Sequence, residues 1–295
     1  KNVTMWGKVS ARFRNHGKFL TQTKFNFSDL ELLGDDTTIV GITTWIYPGT
    51  RRVAIIAPTR WIPYIWEIEA DTIEIGPFHE SYQLQNLNFS DKNIIIHGYN
   101  STVLIKNCLF SNFSVNYRTG KMHDWLLMKD SIVYHGLQMN YVQLQKDSAV
   151  VFSNVTVLGY YSLYEVGVSS GSSVIIEGTP DDYRHSRHFS YKKESPFKLE
   201  NILVQKNSTL QFRDFNMNTT DKSAFELSEV DVRAGGQVLF DRFKIKVLAS
   251  GTSTSFDGFY FGGGGTISGK NATMCFSEVD VDAPRSALSL YESGS

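Results

Sequence analysis

Residues 142–158, VQLQKDSAVVFSNVTVL, constrain this chain more than any other stretch. Apolar residues alternate up to a polar turn at Lys146-Asp147-Ser148, a second short strand follows, and a kink at Ser153-Asn154 leads into a third. Period-two alternation broken every few residues by turn formers fits short strands and leaves no room for an amphipathic helix. Units of the same kind recur along the chain. A repeat that cannot bury its apolar face alone must stack on its neighbours, so the sequence predicts an all-β protein built of stacked coils.

The most regular section begins at residues 93–112, NIIIHGYNSTVLIKNCLFSN. Aligning polar turns places Asn100-Ser101, Asp130-Ser131, Asp147-Ser148, Gly171-Ser172, Asn207-Ser208, Gly235-Gly236 and Asn271-Ala272 at successive corners, 30, 17, 24, 36, 28 and 36 residues apart. Asn, Asp and Gly suit such corners because they enter the left-handed backbone region cheaply. Unequal spacings speak against a left-handed β-helix, which needs a steady hexapeptide pattern. Runs such as Asn93-Ile94-Ile95-Ile96 and Val103-Leu104-Ile105 resemble the rungs of right-handed parallel β-helix proteins, the broad group that holds pectate-lyase-like enzymes and phage tailspikes. The resemblance implies an all-β fold, a right-handed parallel β-helix (β-solenoid), over residues 71–283. An irregular N-terminal cap with the first strands at 1–70 and a C-terminal tail at 284–295 complete the expected chain. It further implies a homo-oligomer or contact with neighbouring surface subunits, since tailspike-like stems are commonly trimeric.

The resemblance carries no chemistry with it. Pectate-lyase-like enzymes hold an acidic calcium cluster, and the polygalacturonase relatives carry Asn-Thr-Asp, Gly-His-Gly and Arg-Ile-Lys; this sequence has none of these. Two apparent catalytic signatures also fail. Gly167-Val168-Ser169-Ser170-Gly171 fits a nucleophile elbow, but the residues after it read as a strand where a helix is required. The segment 264–270 fits most of a phosphate loop, yet Asn271 replaces the required Ser/Thr and no helix follows.

Composition excludes several partners. A net charge of -1 over 295 residues gives no global attraction for nucleic acid or an anionic membrane. The longest apolar runs, such as 53–57, are too short for a membrane span, and the sequence as given opens with no signal peptide, so a secreted protein would be represented in its mature form. Cys108 and Cys275 sit among apolar residues and are expected as buried free thiols, too many coils apart for a disulfide. Nine N-x-S/T triplets, headed by Asn2, Asn26, Asn88, Asn100, Asn112, Asn154, Asn207, Asn218 and Asn271, exceed what the chain's Asn and Ser/Thr content would produce by chance. They point to N-glycosylation and an extracellular, cell-surface or virion-surface location. The competing reading is that Asn and Ser/Thr simply abound in turns.

Candidate functional residues concentrate in four places. Residues 1–28 carry Lys1, Lys8, Arg12, Arg14, Lys18 and Lys24 with no acid before Asp29, which suits a docking surface for an anionic partner or a polar cap on the first coil. Trp61, Tyr64 and Trp66 form either a glycan-stacking platform or an aromatic core. The longer spacings mark loops at 116–125, 179–197 and 249–265, which would make one patch if they leave from the same corner. In the first two loops Tyr117, Arg118, Trp125, Arg184 and Arg187, together with Trp61 and Trp66, are the glycan-binding candidates. If the chain is an enzyme, His123, Asp124, Asp181, Asp182 and His185 are the acid-base candidates. No metal and no cofactor is expected, because His185 and His188 lack partners at ligand spacing. The leading expectation is a structural module presenting loops to a polysaccharide or glycan surface or to neighbouring subunits. The alternatives are a polysaccharide lyase or glycoside hydrolase, and a self-assembling surface-layer or filament subunit.

Overall fold

The computed structural model describes residues 10–14, 19–20, 29–33, 39–40, 52–55, 72–78, 82–85, 88–120, 123–178, 187–189, 195–220, 223–248 and 257–290. The protein is all-β, and among the described residues there is no helix. Among the described residues, twenty-one strands join in one hydrogen-bonded network, and every pairing is parallel. The alternation read from the sequence sets the burial. In Ala149–Val157, Val150, Phe152, Val155 and Val157 point into the core, while Ala149, Val151 and Ser153 are only half-buried.

Each strand pairs with the equivalent strand one coil later. Leu126 lies beside Val150, Val150 beside Val174, Val174 beside Leu210, Leu210 beside Val238 and Val238 beside Met274. A coil therefore takes 24 residues where nothing is inserted and 28 or 36 where something is. Parallel neighbours need a long connection between them, and here the rest of the coil supplies it. The pairings also contain a closed, barrel-like ring of four strands that the expectation of an open stack did not include. Trp125–Asn140 and Gln143–Leu144, interrupted at Tyr141, both lie between Leu109–Arg118 and Tyr160–Val168.

Corners are marked by left-handed residues in three recurring sets. One holds Asn107, Asp130, Asn154, Asp214, Arg242 and Glu278; a second holds Tyr141, Glu165, Asn201 and Glu229. The third holds Asn100, His123, Asp147, Gly171, Asn207, Gly235 and Asn271. This corrects the turn alignment above: Asp130-Ser131 belongs to the first set, and His123-Asp124 takes its place between Asn100 and Asp147. The anomalous 30- and 17-residue spacings disappear with that exchange. Ser101, Asp124, Ser148, Ser172 and Ser208, each directly after a third-set corner, are all buried and form an inward ladder of small polar residues.

The core is a stack of like on like. Tyr161, Phe197, Phe225 and Phe259 superpose with ring centroids 4.4, 4.3 and 4.7 Å apart, and Phe212, Phe240 and Phe276 do so at 5.4 and 5.0 Å. Each fully buried phenylalanine contributes roughly 2–3 kcal/mol of apolar burial, and offset stacking adds about 1 kcal/mol. Parallel pairing also crosses the expected domain boundaries. It runs from Ser10–Arg14 through Asp29–Leu33, Arg52–Ile55 and Thr72–Phe78 into Asn88–Tyr99, and Ser286–Leu290, expected as tail, pairs with Asp257–Gly262. Cys108 is buried as expected, whereas Cys275 is exposed because it points outward from the final coil; both thiols are free.

Candidate functional site

Residues 179–186, 190–194 and 249–256, most of the two larger expected loops, lie outside the described residues; between the first two segments the strand Arg187–Phe189 pairs with Met217–Thr219. The loop at 116–125 leaves from the corner that holds Asn100 and His123. Trp61, Trp66, Asp181, Asp182, Arg184, His185, Asn2 and Asn26 lie outside the described residues, and of Arg187 only the strand Arg187–Phe189 is described.

Two candidates of the 116–125 loop turn inward. Tyr117 is wholly buried, its ring packed where a side chain at residue 98 would otherwise sit, and its hydroxyl donates to Ser101 O. Burial, and then the nearby Asp124 carboxyl, push its hydroxyl well above the usual phenol range, so it stays protonated. Asp124 is buried in the serine ladder and out of reach of a substrate on the surface. These two are corrected from candidate contacts to core residues: the 24-residue coil puts them at inward positions. His123 and Arg118 are exposed, and Trp125 is exposed at the head of its strand. Of these, Arg118 alone borders the face described next, in register with Tyr99 and Gln143.

That face is the outer surface of the sheet formed by residues 93–99, 112–118, 136–140 and 160–164. Between inward Ile94, Phe113, Leu137 and Tyr161, the outward positions carry amides, hydroxyls and rings. One row runs Ser114, Gln138, Ser162; the next runs His97, Asn116, Asn140, Tyr164. Side-chain hydrogen bonds run both along the rows and between them. Asn112 Nδ2 donates to Asn93 Oδ1 at 2.7 Å, and Gln138 Oε1 accepts from Ser114 Oγ and Asn140 Nδ2, both at 3.3 Å. Gln138 Nε2 donates to the Tyr160 hydroxyl. With its nitrogen donating to Asn140 O at 2.7 Å, the Asn116 amide turns its oxygen towards His97 Nδ1, 3.3 Å away.

Aromatic rings frame the amides. The Tyr160 ring packs against Gly136, where a Cβ would come within 2.5 Å of it. Tyr141, exposed at a left-handed corner, meets Tyr164 edge-on at 5.8 Å and 87°. The neighbouring Glu165 carboxylate, by hydrogen bonding and by charge, raises the pKa of the Tyr164 hydroxyl above the usual phenol value. Fixed amides that offer a donor and an acceptor side by side, next to a tyrosine face, match sugar hydroxyls beside an apolar pyranose face. Sequence reasoning passed over these residues in favour of the loops. The signal was present in the 24-residue step from Asn116 to Asn140 to Tyr164, which becomes readable only once the corners are correctly aligned.

Among the described residues, no group of His, Cys, Asp and Glu is placed to hold a metal ion and no helix is long and apolar enough to cross a membrane. No family model matches the chain, and no curated protein and no solved structure matches it.

Proposed function

We propose that this chain is a right-handed parallel β-solenoid acting as an extracellular structural stem, and that it binds a hydroxyl-rich glycan along the amide and tyrosine face. The observation that carries this reading is the row His97, Asn116, Asn140, Tyr164 with Tyr141 at its side. Successive coils stand about 4.8 Å apart, a step comparable with the length of one pyranose unit. An extended glycan lying along the stack would meet one amide or ring per coil. The parallel registers and three sets of left-handed corners support the solenoid. The four-stranded ring is then one coil split at Tyr141. Sequons at the exposed Asn88, Asn154, Asn207 and Asn271 support a location outside the cytoplasm.

A glycan array followed by titration calorimetry tests the site. Tyr164→Ala or Asn140→Ala is expected to weaken binding about 3- to 10-fold, whereas Trp125→Ala, on another face of the coil, leaves it unchanged. Failure of every glycan to bind, or binding indifferent to Tyr164 and Asn140, sinks the reading. Release of new reducing ends or unsaturated sugars during incubation would replace it with the lyase or hydrolase alternative.

A further inference from the structure

A second sheet of the coils is apolar on its outer surface where the amide and tyrosine face is polar. It consists of residues 103–106, 125–129, 149–153, 173–177, 209–213, 237–241 and 273–277. Val103, Leu126, Val150, Val174, Leu210 and Val238 point into the core. Outward positions alternate with these, and the middle outward row reads Leu104, Leu127, Val151, Ile175, Gln211, Leu239, Cys275. Its leucines, valine and isoleucine are half-buried, and Trp125 beside them is 37% exposed. Strand propensity alone does not account for the stripe, because the outward rows of the other sheet hold Ser114, Gln138, Ser162, Asn116 and Asn140. A continuous apolar patch on an outer surface marks an interaction site.

Charge indicates what covers it. Beside the stripe runs the row Lys106, Lys129, Ser153, Glu177, Arg213, Asp241, and the corner after it holds Asp130, Arg242 and Glu278. The middle of that row is satisfied within the chain, since Ser153 and Arg213 bind the Glu177 carboxylate at 2.9 and 3.1 Å. Its ends differ in sign. Lys106 and Lys129 form no ion pair among the described residues, and Asp241 and Glu278 stand at the other end. Counted from the strand Ser173–Glu177, Lys129 and Asp241 lie two coils away in opposite directions, and so do Asp130 and Arg242. Lys106 and Glu278 lie three coils away. A two-fold axis along Ser173–Glu177 therefore sets each of these charges opposite its counterpart in a second copy. The same axis sets Leu127 on Leu239, Leu104 on Cys275 and Ile175 on itself. Shifting it by one coil opposes like charges, Lys106 with Arg213 in one direction and Glu177 with Asp241 in the other.

We infer that this face is the interface of a two-fold dimer, in which a second copy packs its apolar stripe on the first, coils in reverse order, about an axis along Ser173–Glu177. Such an interface is isologous, and its sheets pack aligned, about 10 Å apart. Seven coils of five-residue strands give a contact of roughly 550 Å² per copy. The total of about 1,100 Å² is at the lower end for a specific interface, so the dimer is expected to dissociate in roughly the micromolar range. It uses none of the residues of the proposed glycan face, and either proposal can fail without the other.

Sedimentation equilibrium of the full chain over a concentration series decides it. A monomer–dimer equilibrium is expected. Ile175→Lys sets two ammonium groups against each other on the axis and should weaken association about 10-fold or more. Lys129→Glu and Asp241→Lys should each weaken it about 3- to 10-fold, and a chain carrying both should regain it, because opposite charges then face each other again at both equivalent contacts. Asp241 also binds Arg242 within its own chain, so circular dichroism melts accompany each variant, and Lys129→Glu, which breaks no ion pair among the described residues, separates lost contact from lost fold. A monomer at every concentration overturns the inference, as does an assembly larger than a dimer. Association indifferent to Ile175→Lys overturns it too, and so does a double charge swap that fails to restore the dimer.

Discussion

At the scale of single residues, the coil tolerates side chains only where the next coil leaves space. A Cβ on Gly159 would stand 1.3 Å from His135 O, a backbone atom that cannot step aside, whereas a Cβ on Gly264 would meet nothing within 4 Å. Gly159→Ala is therefore expected to lose more than about 3 kcal/mol, and Gly264→Ala to stay within about 0.5 kcal/mol. Denaturant unfolding of the two variants measures both. Gly171 and Gly235 share a left-handed corner with Asp147 and Asn207, and there a Cβ would stand 2.1 Å from Asp147 Oδ1 and 2.4 Å from Asn207 Oδ1 respectively. Asp124 is the clearest case in which a residue type misleads. A carboxylate beside a histidine in a loop suggests acid-base chemistry, yet its coil position makes it a member of the buried serine ladder.

At the scale of elements, parallel strand pairing forms the framework and a few side chains tie irregular segments to it. Asp231 binds the segment after Gly265: its Oδ1 accepts from Thr266 N at 3.1 Å and Thr266 Oγ1 at 2.8 Å, and its Oδ2 accepts from Arg233 Nη2 at 2.6 Å. Burial works against its charge, but the Thr266 hydrogen bonds and the Arg233 guanidinium prevail and hold the carboxyl below its usual pKa. A depressed folded-state pKa adds stability in full above the unfolded value of about 3.9. That contribution is lost as pH falls through the folded value. Asp231→Asn should cost about 1–2 kcal/mol at neutral pH, and its melting curve should converge on that of the unmodified chain as pH drops below about 4. A gap that persists into acid would show that the carboxylate charge is not what holds the segment.

At the scale of the whole molecule, the outer surface divides into uses. One face presents amides and tyrosines, and the coil of Thr273–Asp282 and Ser286–Leu290 exposes apolar side chains. Sequon positions differ accordingly. Asn88, Asn207 and Asn271 are exposed, whereas the Asn112 amide is held against Asn93 within the amide face. Expression through a secretory pathway followed by glycopeptide mapping should find sugar at the first three and none at Asn112. A glycan on Asn112 would break the 2.7 Å bond to Asn93 and remove that position from the proposed binding face. An intact mass equal to the 33.4 kDa polypeptide would remove the case for an extracellular location.

The sequence by itself determined the all-β class and most of the turn-forming residues, because period-two alternation and left-handed turn formers act over a few neighbouring residues, whereas the strands run longer than expected, through kinks such as Asn154 and up to Trp125–Asn140. It placed the unit at 142–158 correctly: strand Gln143–Leu144, left-handed Lys146 and Asp147, and a second kink at Asn154. Which coil position follows which corner was decided only in three dimensions. Asp130 and His123 are interchangeable as local turn residues, and only hydrogen bonds to coils 24 residues away distinguish them. With that register came the site. Asn116, Asn140 and Tyr164 are far apart along the chain and unremarkable one by one; they become one row because parallel pairing lays equivalent positions side by side.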